Sequence, residues 1–145
     1  MILRSLYNWS SESFQRTLIM GIVNVTPDSF SDGGMYYDTK SAANYAKKLI
    51  ENGADIIDIG GESTRPGAME VSEEEEISRI LPVIKKIRTI SSNIIISIDT
   101  TKSNVAKSAI KAGANIINDI SGFTRDSDMV KVAAKFQVPI VIMHM

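Results

Sequence analysis

The 145-residue sequence contains no cysteine. That excludes a disulfide framework, thiolate-held zinc or iron–sulfur and a catalytic thiol, and it suits a reducing compartment. The single histidine, His144, is too few for a zinc site, which draws several ligands from the protein, so a structural role is expected for it. Neither sign of charge is in excess. Seventeen acidic against sixteen basic residues give a formal net charge of -1, without the basic surplus that a phosphate backbone requires, and no nucleic-acid partner is expected. No apolar run approaches the roughly 18 residues of a membrane span, and no charged segment followed by an apolar core marks a secretory leader. The expectation is a cytoplasmic protein with no membrane partner. What is present, 43% hydrophobic and 23% charged residues, suits one soluble domain over residues 1–145, with residues 1–17 as an N-terminal extension in which Tyr7 and Trp9 pack.

Five short apolar runs stand out: Leu18 to Val25, Ala54 to Ile59, Ile94 to Ile98, Asn115 to Ile117 and Pro139 to Met143. Their hydrophobicity is nearly continuous rather than alternating, as in the strands of a parallel sheet covered on both faces. Helical periodicity lies between them. From Thr39, Ala42, Ala46, Leu49 and Ile50 form one stripe, and Gly53 stands where a left-handed C-terminal cap belongs. Ser72 followed by Glu75 reads as a capping box ahead of Ile77, Ile80, Leu81, Ile84 and Ile87, with a bend expected at Pro82. The acidic run Glu73 to Glu76 reads as a favourable helix N-terminus. A third helix carries Val105, Ala106, Ala109 and Ile110 and stops at Gly113; a fourth carries Met129, Val132, Ala133 and Phe136 before Pro139.

The hexapeptide Gly53-Ala54-Asp55-Ile56-Ile57-Asp58 returns about 60 residues later as Gly113-Ala114-Asn115-Ile116-Ile117-Asn118. That interval is two strand–helix units, which suggests repeated units of one barrel or layered sheet. No glycine-rich nucleotide fingerprint follows the first strand, so a doubly wound dinucleotide fold is disfavoured. The fold class expected is α/β: about four and a half βα units, the N-terminal portion of a TIM (β/α)8 barrel, whose eight units usually need about 250 residues.

In such folds the working groups collect beyond the C-terminal ends of the strands. Those positions are unusually polar here. They are the segment from Asn24 to Gly34, the Gly60-Gly61-Glu62-Ser63-Thr64-Arg65-Pro66-Gly67 loop, Asp99-Thr100 and Asn118-Asp119. Each has a plain structural alternative: Asn24 and Asn118 as loop caps, Asp99 as a helix N-cap, Arg65 as a solvated surface arginine. Together they form one polar mouth, and the paired glycines with a nearby hydroxyl and guanidinium suit an oxyanion ligand.

These segments resemble those of a known family. The run Met20 to Gly34, reading Met-Gly-Ile-Val-Asn-Val-Thr-Pro-Asp-Ser-Phe-Ser-Asp-Gly-Gly, resembles the first signature of the dihydropteroate synthase family, and Asp58 to Ala68 resembles its second. Ser97 to Thr100, Ile117 to Ile120 and Met143 to Met145 match in the same order. The family's later acidic, lysine and arginine–histidine elements have no counterpart in these residues.

The resemblance implies condensation of 6-hydroxymethyl-7,8-dihydropterin diphosphate with 4-aminobenzoate to 7,8-dihydropteroate and diphosphate, in folate synthesis. It implies Mg2+ as cofactor, with Asn24 as its contact and as a contact of the diphosphate. Asp32, Thr64 and Arg65 would organise the leaving group, Asp99 and Asn118 would meet the pterin edge, and Phe30 with Pro66 would flank the aminobenzoate. Met143 would lie against the pterin plane, with core filling as its alternative. Complete members are expected to be homodimers. A chain of this length is expected to need the missing C-terminal half for activity. Two other functions stay open: a pterin-binding methyltransferase module, against which the paired signatures argue, and a non-catalytic pterin-binding fragment.

Overall fold

A computed structural model of the protein describes residues 17–26, 35–63 and 69–143, and side chains within these except those of residues 35–38. Expectations for residues 1–16, including Tyr7 and Trp9, lie outside the described residues. The described elements alternate strictly: β1 (Met20–Asn24), α1 (Met35–Glu51), β2 (Ile56–Gly60), α2 (Glu73–Ile90), β3 (Ile95–Asp99), α3 (Ser103–Ala112), β4 (Ile116–Asp119), α4 (Met129–Phe136) and β5 (Ile140–Ile142). The five strands are parallel and lie side by side in sequence order. Consecutive helices pack on one another along the sheet, as the successive units of a (β/α)8 barrel do, where such crossovers are right-handed as a rule. No helix among the described residues is long and apolar enough to cross a membrane.

Alternate strand residues explain the near-continuous apolar runs. Val23, Ile57, Ile59, Ile96, Ile98 and Ile117 are fully buried in the core shared with the helices. Their neighbours point to the other, inner face, where Ile56, Ile95 and Ile116 form a second small cluster with Leu18. Above that apolar floor the inner face turns polar. One register row reads Ile22, Asp58, Ser97, Ile116, and the next reads Asn24, Gly60, Asp99, Asn118, Val141.

The helices stop and start where local chemistry directs. Ser72 Oγ accepts from Glu75 N at 3.2 Å, while the Glu75 carboxylate turns forward to Arg79 rather than back to the cap. Helix α2 runs unbroken through Pro82, whose ring lies on the exposed side. Gly53 and Gly113 take φ of +98° and +120°, the conformation expected of glycines that end helices. The end of α4 was less legible: Gln137 takes the left-handed turn at φ +52° without glycine. Helix α1 begins at Met35, a turn ahead of the Thr39 start, because the Met-Tyr-Tyr stretch carries no periodicity to separate it from loop.

The hexapeptide repeat has a physical meaning. Asp55 Oδ2 accepts from Ile19 N at 3.0 Å, and at the equivalent place Asn115 Oδ1 accepts from Ile96 N at 3.0 Å. Each copy latches its strand onto the foot of the strand before it. Arg88 reinforces the second latch, donating to Asn115 Oδ1 at 2.6 Å and to the carbonyls of Gly113 and Ile94.

Candidate active site

The polar row lies at the C-terminal ends of β1 to β4. Asn24 closes β1 and is exposed, Asp99 closes β3, and Asn118 lies on β4; the latter two are half-buried. Between Asn24 and Asp99 stands Gly60. A Cβ placed on it would lie 3.5 Å from both Asn24 Oδ1 and Asp99 Oδ2, so these two oxygens face one notch and stand no more than twice that distance apart. Asn118 Nδ2 donates to Asp58 Oδ2 at 3.1 Å, joining the two repeat copies across the inner face. Met143 follows β5, its backbone N–H on Asp119 O at 3.4 Å and its side chain partly exposed at the rim.

Asp99 does not cap a helix. The first N–H of α3 is taken by Asp126 Oδ2, which accepts from Ser103 N at 2.7 Å, and no hydrogen bond to the Asp99 carboxylate occurs among the described residues. Burial, followed by the negative fields of Asp58, Glu76, Asp119 and Glu62, pushes the Asp99 carboxyl from 3.8 up to about 7. Asp58 is likewise raised by burial, against the opposing influence of Ser97 and Asn118. Asp58 Oδ1 and Ser97 Oγ are buried without a hydrogen bond of good geometry, so unsatisfied polar capacity lines the base of the mouth. Asp119, which follows Asn118, serves the loop instead: its carboxylate accepts from Ser121 N, Ser121 Oγ and Phe123 N.

A second group of charges steadies the segment after β2. Lys102 Nζ meets Glu62 Oε2 at 2.6 Å and Glu76 Oε2 at 2.7 Å, and Glu76 is fully buried. Glu62 Oε1 also accepts from Val71 N at 3.0 Å, and Arg79 donates to Gly61 O at 2.8 Å. Both ends of this segment are therefore tied to α2 and to the start of α3. Burial alone would raise Glu62, but Lys102, the Val71 N–H and the charge of Arg125 outweigh it and hold the carboxyl below its ordinary value. The run Glu73 to Glu76 forms the first turn of α2, as expected of a favourable helix N-terminus, and its last member, Glu76, turns inward to Lys102. Sequence pattern alone gives Lys102, Glu76 and Asp58 no place at the mouth. Only Asp58 left a trace, a charge inside an apolar run that the repeat matches with an amide.

Asn24, Asp99 and Asn118 are brought together at the strand ends, with Met143 at the end of β5. Phe30, Asp32, Thr64, Arg65, Pro66 and His144 lie outside the described residues. Thr64, Arg65 and Pro66 belong in sequence to the stretch between the two tethered points, Glu62 and Val71.

Residues 20–145 match the sequence model of the family described as pterin binding enzyme. The chain is 62% identical over 130 residues to the dihydropteroate synthase of Clostridium beijerinckii, covering 90% of this chain and 48% of that protein. It is 59% identical to that of Bacillus subtilis, covering 90% and 45%. The dihydropteroate synthase of Clostridium difficile, solved in the presence of pteroic acid, superposes with a TM-score of 0.85 at 47% identity, covering 90% of this chain and 49% of that one. The Xanthomonas albilineans enzyme with 4-aminobenzoic acid gives 0.84 at 47% identity, covering 90% and 47%. The chain spans about half the length of the curated relatives it matches. With a parallel barrel sheet, a polar row at its strand ends and a family match running from β1 onward, the chain belongs to the pterin-binding enzymes.

Proposed function

We propose that this chain carries the pterin and diphosphate side of a dihydropteroate synthase site. The observation that bears the reading is the row Asn24, Gly60, Asp99, Asn118, which sets an amide oxygen, a gap, a carboxyl and a second amide along one edge of the mouth. A pterin edge presents donors and acceptors that Asp99 and Asn118 complement. Asn24 lies at the far end of the row and precedes in sequence the stretch that carries Asp32, while Gly60, its neighbour in the register, precedes the stretch that carries Thr64 and Arg65.

In the reaction the bond between the pterin methylene carbon and the diphosphate oxygen breaks, and its electron pair leaves with diphosphate. The aminobenzoate nitrogen forms the new carbon–nitrogen bond and gives up a proton. Diphosphate leaves readily and the ring spreads the developing positive charge, so positioning and electrostatics carry the work and no protein nucleophile is called for.

The oxygens present fit magnesium. Asn24 offers an exposed amide oxygen at the mouth, a hard neutral donor of the kind magnesium accepts. A cation here would rest on few protein ligands together with water and substrate oxygens, as magnesium does. Asn24 would hold it, and when bound it would neutralise charge on the leaving diphosphate. The reading includes a cytoplasmic enzyme, a homodimeric assembly, and dependence on the half of the enzyme that the relatives carry beyond the matched region.

The test is a fusion of this chain to the C-terminal half of the Bacillus subtilis relative, assayed for 4-aminobenzoate-dependent diphosphate release with magnesium and sedimented to check for a dimer. Turnover by the fusion is expected, with little from the 145 residues alone. A folded fusion that binds pterin and releases no diphosphate would overturn the reading. Within it, Arg65→Ala should cost on the order of 2–4 kcal/mol of transition-state stabilisation, read as a fall in kcat/KM; an unchanged value would remove Arg65 from the leaving-group site.

A further inference from the structure

Six glycines lie among the described residues, and the fold accounts for five. Gly53, Gly113 and Gly122 adopt positive φ, which disfavours any side chain. At Gly21 a Cβ would come within 2.9 Å of Leu49 Cδ1, and at Gly61 within 2.8 Å of Ile80 Cγ2 and 2.9 Å of Glu76 Cγ, so close packing of α1 and α2 on the sheet requires both. Gly60 is different. It is a strand residue without positive φ, and a Cβ there would meet nothing nearer than 3.5 Å, an ordinary contact distance. Gly60 closes β2, and a glycine at a strand end with room for a Cβ leaves the backbone open to close approach by a ligand.

The atoms that a Gly60 Cβ would touch are Asn24 Oδ1, Asp99 Oδ2 and Asp99 Cβ, all belonging to the polar row. Resting on the function proposed above, the row runs from the leaving-group side at Asn24 to the ring side at Asp99 and Asn118. Gly60 occupies the place between them. We propose that Gly60 is the floor beneath the reacting methylene carbon, kept bare so that this carbon lies in the notch between Asn24 Oδ1 and Asp99 Oδ2. As the carbon–oxygen bond breaks and its electron pair departs with diphosphate, positive charge grows on the methylene; the Asp99 oxygen beside the notch opposes that charge where it forms, while Asn24 faces the departing diphosphate. The two consecutive glycines then have separate tasks: Gly61 admits α2, and Gly60 admits substrate.

The experiment titrates the fusion described above with unsubstituted pterin and with 6-hydroxymethylpterin, following ring fluorescence, for the wild type, Gly60→Ala and Gly61→Ala. The wild type should bind both probes. A methyl group in the notch is an overpacking change, so Gly60→Ala should weaken 6-hydroxymethylpterin by about tenfold or more, leave pterin within about twofold, and melt no lower than the wild type. Gly61→Ala should lower the melting point and leave the ratio of the two affinities unchanged. Equal losses for both probes in Gly60→Ala, no loss for either, the same change of ratio in Gly61→Ala, or a Gly60→Ala chain that fails to fold would each overturn the inference while the proposed function stood. A folded wild-type fusion that binds neither probe would overturn both.

Discussion

A carboxyl at the end of a strand is ordinary; one that keeps its proton to about pH 7 is not. Burial and four neighbouring acids, Asp58, Glu76, Asp119 and Glu62, put Asp99 in that state. Its pKa is higher folded than unfolded, so the stability it contributes is fully present below about pH 4 and is lost as pH rises to about 7. Asp58 shifts in the same direction, while Glu62 and Asp126 are lowered and act oppositely, so the comparison must isolate one group. Calorimetry of Asp99→Asn should give the wild-type melting point near pH 4 and a higher one at pH 8; parallel curves for the two proteins would show that Asp99 carries no such penalty. The same substitution should flatten the pH profile of pterin binding, because ring N–H donors favour the ionised carboxylate. Much at this scale was legible in the sequence: Asp99 and Asn118 stood out as polar residues where apolar runs end. Asp58 showed only as the charge at the end of the first hexapeptide copy, because a strand buried on both faces hides an inward-pointing acid among isoleucines. The choice between cap and ligand residue for Asp99 needed the distant Asp126, which no local pattern reveals.

Elements here are joined by charges that lie far apart in the chain. Lys102 is 40 residues from Glu62 and 26 from Glu76, so no helical spacing or motif connects them, and only the folded sheet brings them together. Removing the cation would strand a fully buried Glu76. Lys102→Ala should therefore lose about 3–5 kcal/mol of stability in urea denaturation, and Lys102→Met combined with Glu76→Leu should recover most of it. A loss below 1 kcal/mol, at the usual scale of an exposed pair, would show that Glu76 finds water instead. Helices and strands were legible in type and order because their apolar stripes are long. Their ends were less so: the left-handed turn at Gln137 and the early start of α1 depend on packing and loop direction rather than on glycine or periodicity.

For the molecule as a whole, a five-stranded sheet in sequence order leaves β1 and β5 each with one unpaired edge among the described residues. Ile19, Met20 and Ile22 on one side and Ile140, Val141, Ile142 and Met143 on the other remain exposed. Apolar edges of this kind invite pairing with another chain. The isolated 145 residues should self-associate in sedimentation velocity as concentration rises, and Ile22→Lys with Val141→Lys should shift them toward monomer; a wild-type chain that stays monomeric throughout would show that the edges are already covered. The architecture was legible in the alternation of runs and stripes and in the hexapeptide that occurs twice. Comparing its copies shows two differences, Asp55 against Asn115 and Asp58 against Asn118, each an acid against an amide. The second pair meets across the inner face at 3.1 Å. Had symmetry been complete there, two carboxylates would face each other at hydrogen-bond distance and could scarcely both ionise. Broken symmetry supplies a donor to an acceptor, so the divergence of one position lets two otherwise matching quarters of a barrel close against each other.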